Sequence, residues 1–249
     1  MPKPSTTSAW TTQVRPFPQT EPVTTQIIYP QTPTNKSKKT KVPDAPLTPH
    51  GRQQARSLSP QLSRLNLQSQ PDLVVSSPLT RTLQTTLLAW EPAIHRLGGV
   101  AKIICLPQAQ EVNDFPCDTG RSRSELEAEP EFKGLDFSPL TPEWVGKKGF
   151  WAPQNVAERA RWVRKWLWER PEETIVVVAH GDVLRWITGS PHGASGYAWR
   201  NGEVRVFGFE SEAGGEVGKE GGFWLDEGGV VGAVGGYGVT STEMDLIWG

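Results

Sequence analysis

The chain has 249 residues, 36% of them hydrophobic and 21% charged, with a formal net charge of −1. This suits one soluble domain, two at most, and argues against a nucleic-acid binder whose affinity rests on neutralising phosphates. No apolar run approaches the roughly 18 residues of a membrane-spanning helix, and Cys105 and Cys117 are too few for a disulfide framework and lack metal-ligand spacing, so a cytoplasmic protein is expected.

Residues 1–41 are rich in Thr, Pro, Gln and Ser and carry the basic run Asn35-Lys-Ser-Lys-Lys-Thr-Lys41. Such a segment buries little, so it is expected to be low-complexity and mostly disordered. Its prolines oppose the amphipathic helix of a transit peptide. Thr24-Thr-Gln-Ile-Ile-Tyr29 is its one strand-like piece. The ordered domain is expected over 42–209. Thr48 reads as an N-cap with Pro49 at the first helical position. Ala55, Leu58, Leu62 and Leu65 give that helix one apolar face, which Pro60 should kink or interrupt. Asp72-Leu-Val-Val75 is a short strand, running through Ser76-Ser77-Pro78 into a helix with Leu79, Leu83, Leu87 and Trp90 on one side. Ile103–Leu106 is a further strand, leading to Gln110-Glu111. Asn155 to Trp168 is the clearest helix, with Asn155 and Glu158 as a capping-box-like pair and Val156, Ala160, Val163 and Leu167 as its buried stripe.

Ile175-Val-Val-Val-Ala179 is continuously apolar and mostly β-branched, the pattern of a strand covered on both faces of a parallel sheet. His180-Gly181 follows at its end, and a short helix runs to Gly189. Glu203–Phe207 reads as a last strand. Beyond it, about half of the chain's 25 glycines lie between 214 and 249, so 210–249 is expected to be a flexible tail. Strands alternating with helices at these lengths predict an α/β domain with a largely parallel sheet.

If the strands are parallel neighbours, Arg81, Glu111 and His180 all follow strand ends and share one edge of the sheet, where ligands of such folds bind. An arginine fork can hold two phosphoryl oxygens. A buried carboxylic acid can protonate a leaving alkoxide. A histidine can offset charge that develops on a transferring phosphoryl group.

Four segments sharpen this expectation. Leu47-Thr48-Pro49-His50-Gly51-Arg52-Gln53-Gln54-Ala55, Ser76-Ser-Pro-Leu-Thr-Arg-Thr-Leu-Gln-Thr85, Gln110-Glu111 with Cys117-Asp-Thr-Gly120, and Val178-Ala-His-Gly181 resemble the histidine phosphatase superfamily, and within it the phosphoglycerate-mutase-like branch. The resemblance implies a three-layer α/β/α sandwich, no metal and no organic cofactor. It implies Arg81 and His180 as phosphate-binding residues, Glu111 as the proton donor and His180 as the second active-site histidine. The expected ligand is a phosphorylated small molecule or phosphate, with hydrolysis favoured over mutase chemistry. Neither nucleic acid nor a membrane is an expected partner, and the oligomeric state is left open.

One departure matters. The family's nucleophile is a histidine in an Arg-His-Gly motif ending the first strand, roughly twenty residues before the Leu-Thr pair, and this chain contains no Arg-His-Gly. Counting back from Leu47 reaches Ile27-Ile-Tyr-Pro-Gln31, and no histidine precedes His50. His50 lies past the nucleophile's place, while His95 and His192 have no motif around them. The expectations are therefore a phosphomonoester hydrolase impaired as written, a pseudophosphatase that binds without turnover, or a scaffold using the Trp162–Trp168 face. A divergent segment, an altered reading frame or another exon would each account for residues 1–41.

Overall fold

The computed structural model describes residues 23–27, 42–197, 199–209 and 225–231. Among these, six strands form one sheet: β1 (Val23–Ile27), β2 (Leu73–Ser76), β3 (Ile104–Cys105), β4 (Ile175–Ala179), β5 (Glu203–Phe209) and β6 (Leu225–Val231), in the order β3-β2-β4-β1-β5-β6. The pairs β2–β3, β2–β4 and β1–β4 are parallel, and β1–β5 and β5–β6 are antiparallel.

Every residue of β4 is buried, because alternate side chains enter different cores. Val74, Val176 and Val178 pack with α1 (Pro49–Arg64), α2 (Thr80–Ala89) and α3 (Glu91–Arg96) on one side. Leu73, Val75, Ile175, Val177 and Ala179 pack with α5 (Val156–Trp168) and α6 (Gly181–Ile187) on the other. The unbroken apolar run predicted a strand covered on both faces, and the α/β/α sandwich is the one that the family resemblance implied. Each fully covered Val, Leu or Ile contributes roughly 1.5–3 kcal/mol, so the two-sided cover of β2 and β4 is the main source of stability at the sheet's centre. A short helix, α4 (Arg123–Glu127), opens on a capping box between Ser122 and Glu125. No helix among the described residues is long and apolar enough to cross a membrane.

Several local expectations change. The sheet reaches beyond 42–209, taking β1 and β6 from the two flanking segments. Val23-Thr-Thr-Gln-Ile27 is β-branched at four of five positions, which suits a strand even within a proline-rich stretch. The remainder of 1–41 and of 210–249 lies outside the described residues. Strand β3 is only two residues long, bounded by 3₁₀ turns at Val100–Lys102 and Pro107–Ala109.

Helix α1 begins as predicted, with Thr48 Oγ1 accepting from the Gly51 amide at 3.0 Å, and it is not interrupted at Pro60. Pro60 sits on the exposed side, and the carbonyl it leaves without a helical donor belongs to the exposed Arg56, where water can replace the lost bond. Asn155 makes no capping bond to α5. It closes a preceding 3₁₀ turn, and its amide donates to the Gly149 carbonyl at 2.7 Å instead.

Candidate active site

Strands β2, β3 and β4 run parallel, so the segments leaving Ser76, Cys105 and Ala179 depart from one edge of the sheet. Ser77 continues this pattern, its amide donating to the Val178 carbonyl at 2.8 Å. Arg81 lies in the first turn of α2, and the turn at Pro107–Ala109 delivers Glu111. His180 stands between β4 and α6. All three side chains are buried, Glu111 and His180 at 0% exposure and Arg81 at 2%, and the charge of Arg81 acts on both of the others.

His180 Nε2 lies 2.8 Å from Ser77 Oγ, and its Nδ1 has no hydrogen-bond partner. Burial, together with the positive charges of Arg81, Lys147 and Arg159, holds this imidazole well below its usual range, so it is neutral near pH 7. Glu111 moves the other way. Its Oε1 accepts from the amides of Val112 (2.8 Å) and Val183 (3.1 Å), while Oε2 is buried without a partner. Burial, with the neighbouring charges of Asp182 and Asp118, raises the carboxyl to about 7 against the opposing pull of Arg81. Since Oε1 is engaged by two N–H donors, the proton belongs on Oε2, where it is available for transfer.

The guanidinium of Arg81 is already engaged. One nitrogen donates to the Cys117 carbonyl, and Nη2 meets Asp118 Oδ1 at 2.8 Å in a buried ion pair. The Cys117-Asp-Thr-Gly120 motif is thus the wall that Arg81 packs on. The side chain of Asp44 braces the same helix start, its Oδ1 accepting from the Thr80 amide at 2.8 Å and its Oδ2 from Thr80 Oγ1 at 2.5 Å and Arg121 Nε at 3.1 Å.

Two further cations belong to this cluster and went unnoticed in the sequence. Lys147 Nζ donates to the Glu111 carbonyl at 2.6 Å, and Arg159 Nη2 approaches the same oxygen at 3.4 Å. Burial, the charge of Arg159 next and that of Arg81 lower Lys147 to about 7. Arg159 had a readable signal, since it falls on the Val156, Ala160, Val163, Leu167 stripe of α5, where an arginine has no ordinary place. Lys147 had a weaker one, as it sits between Gly146 and Lys148-Gly149 with a left-handed backbone (φ 46°). His50, His95 and His192 are exposed. Among the described residues no group of His, Cys, Asp and Glu could hold a metal ion.

The fold is thus an α/β/α sandwich with an arginine, a protonatable carboxyl and a histidine on the segments that leave the carboxyl ends of its parallel strands. The chain belongs to the histidine phosphatase superfamily (branch 1), whose family model matches residues 30–213. It is 28% identical over 176 residues to a phosphoglycerate mutase-like protein of Arabidopsis thaliana, covering 59% of this chain and 63% of that protein. It is also 28% identical over 170 residues to phosphoglycerate mutase-like protein 1 of the same plant, covering 57% of this chain and 58% of the relative. The chain thus spans less than two thirds of the length of these relatives. Among solved structures, a candidate alpha-ribazole-5'-P phosphatase of Escherichia coli superposes with a TM-score of 0.52 at 18% identity, over 88% of this chain and all of that one. Mycobacterial hydrolase 2 superposes with a TM-score of 0.50 at 18% identity, over 90% and 95% of the two chains.

Proposed function

We propose that this polypeptide binds phosphate monoesters through Arg81, Glu111 and His180 and, as written, does not turn them over. It is a phosphomonoester hydrolase by type that lacks its nucleophile. The observation that carries this reading is the register of the two central strands. β1 runs parallel to β4 with Ile27 opposite Ala179, the residue just before His180. The sequence continues from Ile27 as Ile28-Tyr-Pro-Gln31, and no histidine precedes His50.

Without an imidazole there, no phosphohistidine can form, and the two-step route through a covalent phosphoenzyme is closed. What remains can recognise the phosphoryl group. His180 supplies a donor at Nδ1 or Nε2, according to its tautomer, and takes up positive charge beside an anion. Glu111 holds its proton on Oε2 at pH values below about 7, placed for an alkoxide leaving group. Arg81 reaches a ligand oxygen only where that oxygen competes with Asp118 and the Cys117 carbonyl.

The test pairs a colorimetric phosphatase assay with orthovanadate titration by calorimetry, using the full chain. No release of phosphate above background, together with vanadate binding that His180→Ala weakens, is the expected result. Robust turnover with phosphate trapped on His50 or His180 would overturn the reading and require a relocated nucleophile. Absence of both turnover and vanadate binding would leave only the scaffold.

A further inference from the structure

The hydroxyl of Ser77 has one partner at ordinary hydrogen-bond length, and that partner is His180. Ser77 Oγ stands 2.8 Å from His180 Nε2, with both residues at 0% exposure. A serine just ahead of a helix is ordinarily spent on the helix's first amides. Here the Leu79 amide is 3.5 Å from that oxygen, too long for a good bond, and α2 has no side-chain cap. The backbone of Ser77 is fixed separately. Its amide donates to the Val178 carbonyl at 2.8 Å, on the strand that leads to His180. Its carbonyl accepts from Ser76 Oγ and Thr82 Oγ1, each at 2.9 Å, and Thr86 Oγ1 donates in turn to Ser76 Oγ at 2.9 Å. Ser76, Thr82 and Thr86 are buried too, so a chain of hydroxyls holds this one residue against the imidazole.

The direction of the bond follows from the hydrogens available. A hydroxyl has one hydrogen to place, and a neutral imidazole has one N–H and one bare nitrogen. Burial, then the positive charges around it, keeps His180 neutral near pH 7. If Ser77 donates to Nε2, the imidazole proton lies on Nδ1, and Nδ1–H is the one group of the pair left without a partner. If Nε2–H donates instead, the Ser77 hydrogen has no acceptor among the described residues and Nδ1 stays bare, so two buried groups go unpaired. Each unpaired buried group costs a desolvation penalty, so the first arrangement wins.

We infer that Ser77 is a positioning residue that holds His180 with its proton on Nδ1, so that Nδ1–H, and not Nε2–H, is the donor offered to an oxyanion. Nε2 is occupied by the hydroxyl, and Nδ1 is the ring nitrogen with capacity to spare. The same hydroxyl serves the charged ring. When His180 takes up a proton beside an anion, that proton enters at Nε2, and Ser77 turns from donor to acceptor without leaving its place. The tautomer stands on the geometry of Ser77, whereas its use in binding rests on the reading that the site takes a phosphoryl oxyanion.

The experiment records proton–nitrogen correlation spectra of the histidine rings in the nitrogen-labelled full chain at pH 7, which separate a protonated ring nitrogen from a bare one. The chain has four histidines, and the ring lost in His180→Gln is that of His180. The expected spectrum has Nδ1 protonated and Nε2 bare. A His180 ring with Nε2 protonated would overturn the inference. Ser77→Ala should release the ring into a mixture of tautomers and weaken orthovanadate binding about tenfold, the value of one hydrogen bond to a charged ligand. Ser77→Thr keeps the hydroxyl and should restore both the single tautomer and most of the affinity. A pure Nδ1–H ring in Ser77→Ala would overturn the part assigned to Ser77. Mixed tautomers with wild-type vanadate affinity would overturn Nδ1–H as the donor. No vanadate binding by folded wild type defeats the phosphate reading, while the ligand-free spectrum still decides the tautomer. Should Ser77→Ala fail to fold, the wild-type spectrum with and without vanadate decides, because an Nδ1 resonance that stays in place on binding overturns the donor assignment.

Discussion

Gly120→Ala is a sharp test of how the wall of the site is built. A Cβ at Gly120 would stand 1.9 Å from Cη2 of Trp144 and 2.5 Å from its Cζ3. Carbon atoms pack at about 3.5 Å or more, so the ring would have to retreat by about 1.6 Å. It has nowhere to go, since Trp144 is 0% exposed within the core shared by α1 and α2. Its carbonyl is also held by Gln110 Nε2 at 3.0 Å. Overpacking of this kind costs about 1–3 kcal/mol, and a rigid indole places the substitution at the upper end. With a urea dependence of about 2–3 kcal/mol per molar for a domain of this size, the unfolding midpoint should fall by about 1 M. Trp144→Phe in the Gly120→Ala background should recover part of the loss, giving a double mutant less damaged than the sum of its parts. A Gly120→Ala midpoint within 0.2 M of wild type would refute the reasoning and show that the Cys117–Gly120 turn yields to the ring.

Three further outcomes are expected. The folded state holds Glu111 at about 7 against an ordinary 4.5, so its protonated form is the one favoured by folding; this contribution is full below pH 4.5 and is lost as pH rises through 7, to the extent of up to about 3 kcal/mol. Glu111→Gln should remove that component, so that wild-type and variant urea midpoints diverge between pH 5 and pH 8, and parallel curves would contradict it. Asp44→Ala strips the first turn of α2 of the carboxylate that Thr80 and Arg121 bind; it should cost about 1–2 kcal/mol, the value of a lost cap, read as a lower thermal midpoint. Replacing residues 1–41 with a strand ending in Arg-His-Gly should produce phosphatase activity, and Arg81→Ala or His180→Ala should then abolish it; a chimera that folds yet stays inactive would count against the missing nucleophile as the cause.

The parts of the molecule that were legible in the sequence are those where one chemical pattern has one structural use. Ile175–Ala179 can be apolar at every position only if both faces are covered, which gave a central strand and put His180 at its end. Thr48-Pro49 announced α1 by side-chain chemistry that operates within four residues. What was hidden depends on distant partners. Asn155 has the identity of a cap, but the 3₁₀ turn over Pro153–Asn155 leaves its backbone (φ −98°, ψ 13°) outside the extended conformation that a cap needs. Pro60 interrupts a helix less readily where the freed carbonyl faces water, and exposure cannot be read from the proline itself. Asp118 meets Arg81 37 positions away, and Lys147 and Arg159 come together at one carbonyl 36 and 48 positions away.

The position of β1 has a consequence for how the molecule comes together. β1 lies inside the sheet, joined to β4 on one side and to β5 on the other. Its pairing residues, such as Ile27 with Ala179 and with Glu203, are among the most widely separated contacts in the fold. Contacts of such span form late, because a long loop must close before any of them is rewarded. During synthesis β1 must wait for β4, an interval of roughly ten seconds or more at ordinary elongation rates. Until then β4 and β5 each present an open edge at the centre of the molecule, able to capture a strand from another chain. The low-complexity flank is therefore the element that closes the sheet, and a truncation at Val42 would leave a slot in the middle of the domain where a trimmed end might have been expected.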